Sequence, residues 1–212
     1  MVSNIIALLT NFIINLISWL GYWGVFGLMT AQSALIPMPS EVTMPFAGYI
    51  ASTGRFNIYL VILMGTLGNL LGASLSFALG YFGKDVVVRS LIKKFGKFIL
   101  VSESDLNHSE KWFKKYGEKV VFFGRMLPVV STFISLPAGI FNMNYSKFAF
   151  FTLIGSLVWS SVLTYIGFTL GKNWDSLNVY YRQFEYLIVI LGVVVVSYYI
   201  YHKISKFRKR KI

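Results

Sequence analysis

The sequence predicts an all-α polytopic membrane protein: an inverted repeat with two re-entrant broken-helix hairpins, spanning helices and an interfacial amphipathic segment. Three observations carry this. Of the 212 residues, 56% are hydrophobic and only 13% charged, with mean hydropathy +0.64, whereas a soluble domain is about a quarter charged. Several apolar runs reach the roughly 20 residues that a bilayer crossing needs. Two of those runs are broken by proline and carry a charge within them, Glu41 in one and Arg125 in the other. Broken backbone and buried charge at bilayer depth are tolerated only where protein or a wet cavity surrounds them.

The chain reads as a single membrane domain over 1–212. Residues 1–30 are apolar, with Gly21, Gly24 and Gly27 in their second half. That is longer than one crossing needs, so an interfacial helix running into a spanning one is favoured over one tilted helix. Residues 31–56 form the first re-entrant hairpin, broken by Pro37, Pro39 and Pro45 and turning through Gly48. Residues 57–83 are a span whose Gly65, Gly68, Gly72, Ser76 and Gly80 fall near one helix face, a spacing that lets helices approach closely in lipid. Asn69, by spacing, faces the bundle as a helix–helix hydrogen bond.

Residues 84–119 change character: they hold nine Lys or Arg and five Asp or Glu. The mixed apolar and basic run before residue 100 suits a helix lying on a membrane surface, with a solvated charged loop as the plainer alternative. Residues 120–143 form the second broken hairpin, marked by Gly124, Arg125, Pro128, Pro137 and Gly139. Residues 147–171 and 186–202 are spans, and 203–212 is a basic tail. Arg55 and Lys147, at the outer and inner hairpin ends, read as headgroup-level anchors.

The net charge of +12 follows the positive-inside rule and anionic headgroups rather than nucleic acid. The basic middle segment and tail are placed in the cytoplasm. The two hairpins then enter from opposite faces, as the repeat requires: Pro37 precedes Ala47-Gly48 as Pro128 precedes Ala138-Gly139. Such repeats in secondary transporters set the site at the midplane, where broken segments meet. No cleaved signal peptide is read at the N-terminus.

There are no cysteines and the only histidines are His108 and His202. Thiolate chemistry, a His-rich metal site and a lipid phosphatase therefore lack their groups, and no cofactor, metal or enzymatic activity is expected. Glu41 and Arg125 are the central pair. A guanidinium stays charged and offers a planar fork suited to phosphate. Low dielectric raises a carboxylate's pKa and a neighbouring arginine lowers it, so Glu41 is a candidate for proton coupling. A permanent ion pair stapling the hairpins is the alternative.

The pattern P-x-P-S-E-x-x-x-x-x-A-G from Pro37, followed by G-R-x-x-P-x-x-S-T-F-x-S-L-P-A-G from Gly124, resembles the DedA family of bacterial membrane proteins, also called SNARE-associated or VTT-domain proteins. The resemblance covers roughly residues 20–175. It implies lipid movement across the bilayer, of undecaprenyl phosphate in some members and phosphatidylethanolamine in others. It also implies two re-entrant hairpins, dependence on the proton gradient or membrane potential, and dimerisation. The family's carboxylate falls on Glu41 and its first arginine on Arg125. Two positions depart: many members have an acid where this chain has Gln32, and most have a second arginine where it has Ser131.

The leading expectation is a flippase for a phosphate-bearing lipid, most of all undecaprenyl phosphate, in the bacterial cytoplasmic membrane with the C-terminus inside. Arg125, Glu41, Ser131, Thr132, Gln32 and Ser40 would line its site. The partners expected are membrane lipids and a second copy of the chain, not nucleic acid. The alternatives are a flippase or scramblase for phosphatidylethanolamine or another phospholipid, a cation/proton antiporter, and a non-transporting membrane scaffold.

Overall fold

The computed structural model describes residues 2–36, 38–83, 103–127 and 130–171, with the side chains of 2–10, 103–112 and 114 outside that description. The described residues are helical throughout, in eight elements: α1 (Val2–Leu20), α2 (Tyr22–Ser33), α3 (Ser40–Ser52), α4 (Ile58–Phe82), α5 (Glu103–Gly124), α6 (Val130–Phe133), α7 (Ser135–Ile140) and α8 (Tyr145–Leu170). The surface run at 84–100, the 186–202 span and the basic tail lie outside the described residues. So do Pro37 and Pro128.

Local chemistry sets the boundaries. Gly21, at φ 62°, separates α1 from α2, a left-handed conformation that glycine adopts without penalty. Asn57 caps α4 by accepting from the N–H of Tyr59 and Leu60, and Asn144 caps α8 by accepting from that of Lys147. Each side chain satisfies donors that a helix start leaves free. Helix α2 ends when the N–H of Ile36 reaches back to the carbonyl of Ala31 at 3.1 Å, and α7 ends when that of Met143 reaches Ala138 at 3.0 Å. The left-handed residues in these two caps are Leu35 and Asn142.

Among the described residues, two helices are long and apolar enough to cross a membrane, α4 and α8, and they pack on each other. Helices α2 and α7 lie against α4, while α3 and α5 lie against α8. The small residues of α4 predicted to share a face are all buried: Gly65, Gly68, Gly72, Ser76 and Gly80. The opposite face exposes Leu63, Leu67, Leu71, Leu75 and Leu79. An apolar cluster of Phe77, Phe113, Val121, Ile134, Ala138 and Phe148 holds α5, α7 and α8 against α4, with the rings of Phe77 and Phe148 4.6 Å apart.

Helix α2 crosses the boundary expected near 31, running from Tyr22 to Ser33 after the break at Gly21. Pro45 sits inside α3 instead of breaking it. Proline lacks the N–H that would bond the carbonyl four residues back, here that of Glu41, so the helix continues with one acceptor released in its first turn. Helix α5 runs unbroken from Glu103 to Gly124, and the break follows at Arg125–Leu127.

Candidate functional site

Arg125 begins the turn after α5, with its N–H still bonded to the carbonyl of Val121 at 3.1 Å. Its side chain is only 2% exposed and points at the end of α2 and the start of the α6–α7 pair. Nη1 donates to Ser33 Oγ at 3.2 Å and to the carbonyl of Ser131 at 3.1 Å, and Nη2 donates to Ser135 Oγ. Ser33 Oγ in turn donates to Asn69 Oδ1 at 2.7 Å, and Ser76 Oγ donates to the carbonyl of Ser33 at 2.7 Å. Asn69 is thus the helix–helix hydrogen bond that its spacing implied, and it also orients a hydroxyl that holds the guanidinium.

A second set of bonds joins this network. Gln32 Nε2 donates to Ser131 Oγ at 3.3 Å and reaches Ser40 Oγ at 3.5 Å. The two positions that depart from the family pattern, Gln32 and Ser131, therefore touch each other. Gln32, Ser33, Ser40, Ser131, Thr132 and Ser135 are all buried. Two atoms of this cluster, Gln32 Oε1 and Arg125 Nε, are buried with no hydrogen-bond partner among the described residues.

Glu41 stands in the first turn of α3, next to Ser40 and half-buried, where a helix N-terminus favours a carboxylate. It forms no ion pair with Arg125: the ion pair found among the described residues joins Lys147 to Glu118. That exposed contact ties the start of α8 to α5, so Lys147 has a partner besides the headgroup region. The link from acid to guanidinium runs instead through Ser40, Gln32 and Ser131. Arg125 is left as a buried cation whose described partners are hydroxyls and a carbonyl, none of them anionic.

The prolines and glycines of the two motifs lie around this centre. Pro39 precedes α3 in extended conformation, Pro137 sits in the first turn of α7, and Gly124 faces Val130 and Ile134. Gly48 and Gly139 are contact points: a Cβ on Gly48 would collide with the carbonyl of Thr164, and one on Gly139 with that of Phe77. Ser33 and Ser135 were not picked out from the sequence. The signal for Ser135 was its place inside the quoted T-F-x-S-L-P-A-G run, and for Ser33 its neighbour Gln32.

A groove of about 580 Å³ lies elsewhere, between the second half of α4 and the α7–α8 turn, lined by Ser74, Phe77, Tyr81, Phe82, Asn142 and Tyr145. Among the described residues, it shares none with the Arg125 network and holds no charged side chain.

The VTT-domain model matches residues 38–169. The chain belongs to the VTT-domain family, that of DedA. It is 33% identical over 189 residues to the undecaprenyl phosphate transporter A of Bacillus subtilis, covering 89% of this chain and 93% of the relative. It is 31% identical to an alkaline phosphatase-like protein of Lactococcus lactis, covering 94% of each. Protein DedA of Escherichia coli is 26% identical over 76% of this chain and 69% of its own length. No solved structure matches the chain. The DedA family is of transporter type rather than an enzyme family. Within this VTT domain, Glu41, Arg125, Ser131 and Ser135 fall inside the matched stretch, whereas Gln32 and Ser33 precede it.

Proposed function

We propose that this VTT-domain protein is a multi-pass lipid transporter of the bacterial cytoplasmic membrane that moves a phosphate-bearing lipid, undecaprenyl phosphate first among them. The observation that carries the reading is Arg125. A charge buried without an opposite charge is strongly unfavourable, and a lipid phosphate would supply the missing anion. Nη1, Nη2 and the unpartnered Nε form the planar fork that takes phosphate oxygens in pairs. The prenyl or acyl chains would remain in the bilayer while protein donors replace the water around the headgroup. Relatives named undecaprenyl phosphate transporter A in Bacillus subtilis and Staphylococcus aureus support this choice of lipid. Phosphatidylethanolamine and other phospholipids offer the same phosphate and form the second reading.

The packing supports two re-entrant hairpins in an inverted repeat. On α3 and α8, Gly48 meets the Thr164 carbonyl and Gly167 meets that of Pro45; on α7 and α4, Gly139 meets the Phe77 carbonyl and Gly80 meets that of Leu136. Each hairpin thus leans on the span of the other half through a matching pair of glycines. Asn57 and Asn144 cap the two spans alike. Glu41 would take up and release a proton between access states, passing the change to Arg125 through Ser40, Gln32 and Ser131. A cation/proton antiporter fits less well, since the more deeply buried charge is a cation. A second copy of the chain and a cytoplasmic C-terminus complete the proposal.

The test is reconstitution into liposomes with labelled undecaprenyl phosphate and, in parallel, labelled phosphatidylethanolamine. Transport of either that is lost in Arg125→Ala is the expected result. A Glu41→Gln protein that still moves lipid with unchanged pH dependence would remove the carboxylate from the coupling.

A further inference from the structure

The buried face of α8 carries a feature that the Arg125 network does not use. Thr152, Ser156, Ser160 and Thr164 recur every four residues and are each no more than 1% exposed. None of their hydroxyls has a hydrogen-bond partner among the described residues. Hydroxyls elsewhere on these helices behave differently. Thr30, Thr43, Thr66, Ser74, Ser161 and Thr169 bond the carbonyl four residues back, the ordinary way a helix in lipid satisfies a hydroxyl. The four on α8 lie on its buried side, which packs against α3, α4 and α5. At a rise of 1.5 Å per residue they make a file roughly 18 Å long.

Arg125 packs beside the file between Thr152 and Ser156. A Cβ added at Gly155, beside Ser156, would come within 3.0 Å of Arg125 Cβ and 3.4 Å of its Cγ. The orphaned Nε belongs to the same side chain. Along the file, Ser160 lies across from Gly65, where Met44 Sδ also packs. At the far end the backbones of α3 and α8 touch at Gly48 and Gly167, leaving no width for a headgroup. Buried hydroxyls without protein partners are sites for water, and a buried water needs two to four such partners.

We propose that this seam binds a single file of water molecules beside Arg125, along Thr152, Ser156, Ser160 and Thr164 toward the end of α8. The file hydrates the guanidinium when no lipid phosphate is bound. It stands on the packing of α8 and survives whichever lipid, or none, is transported.

The natural chain has no cysteine, so each Ser156→Cys, Ser160→Cys or Thr164→Cys protein carries one thiol. Ag⁺, a bare cation close to water in size, is added to membranes containing each variant and the rate of thiol modification is read. Ala73→Cys is the control, since Ala73 is equally buried, at 0% exposure, but sits in the apolar cluster. The three file positions are expected to react at least ten times faster than the control. Radiolytic hydroxyl-radical labelling of the unsubstituted protein gives a readout free of folding effects. Met44, beside the file, is expected to oxidise well ahead of Met29, both being essentially buried at 0% and 1% exposure. Thiol rates no faster than that of Ala73→Cys, or Met44 labelled no more than Met29, overturns the proposal.

Discussion

Arg125 separates stability from function at a single residue. Its guanidinium is desolvated and meets hydroxyls and a carbonyl rather than a carboxylate. Replacing a buried charge with an apolar side chain of similar length is often neutral or stabilising. Arg125→Met should therefore insert and unfold near the wild-type temperature, losing at most about 1–3 kcal/mol for the Ser131 carbonyl and Ser135 hydroxyl left unpaired. It should lose lipid transport, and undecaprenyl phosphate should no longer raise its melting temperature in detergent. Scanning fluorimetry with and without the lipid checks both statements. The Gln32–Ser131 contact gives a second residue-scale prediction. Ser131→Arg alone adds a second buried cation beside Arg125 and should destabilise by several kcal/mol. Adding Gln32→Glu across the 3.3 Å contact supplies its counter-charge and should restore most of that loss. A double-mutant cycle in thermal unfolding measures the coupling; additive effects would mean that the two positions changed independently.

At the scale of elements, the decisive contacts are backbone on backbone. Gly167 faces the carbonyl, carbonyl carbon and Cα of Pro45, so nothing flexible can yield to an added methyl group. Gly167→Ala should destabilise by about 1–3 kcal/mol through forced separation of α3 and α8. Gly27, inside α2, has nothing within 4 Å of its added Cβ; there Gly27→Ala should stabilise by about 0.5–1 kcal/mol through helix propensity alone. Thermal unfolding in one detergent ranks the pair. These elements also show what the sequence could tell. The small-residue face of α4 was readable because four glycines and a serine recur at helical spacing in an apolar run. Gln32, Ser40, Ser131 and Arg125 stand out in sequence through the motifs that hold or flank them, and the structure joins them in one hydrogen-bonded network. The missing Arg125–Glu41 ion pair was not readable, because spacing says which segments meet but not which rotamer a long side chain takes. Nor was the α8 file, since Ser and Thr in an apolar helix normally bond their own backbone. The place of the break between α1 and α2 was not legible because Gly21, Gly24 and Gly27 look alike in sequence, and only Gly21 takes the left-handed conformation among them.

Among the described residues, the buried face carries many polar groups and the outer face of α4 is apolar. Buried positions hold Gln32, Asn69, Arg125 and a dozen hydroxyl-bearing side chains, while leucines every four residues line the outer face of α4. In water this arrangement would expose a large apolar surface and bury polar groups at a loss. In a bilayer the leucine face meets hydrocarbon and the polar seam is sheltered by protein. Leu71 distinguishes the two media, because it lies near the middle of α4 and is 44% exposed. On a surface facing water, Leu71→Lys would be harmless and would improve solubility. On a surface facing lipid, a lysine at helix centre costs about 2.5–3.5 kcal/mol even on the lenient insertion scale. We expect Leu71→Lys to lower membrane-inserted protein several-fold and to lower the melting temperature of what remains. Tyr81→Lys, near the end of the same helix and 48% exposed, should be tolerated, because its amine can reach the headgroups. Quantifying each variant in the membrane fraction, and its unfolding in lipid nanodiscs, separates depth from chemistry. Equal effects at positions 71 and 81 would mean that α4 does not cross the bilayer with its leucine face toward lipid.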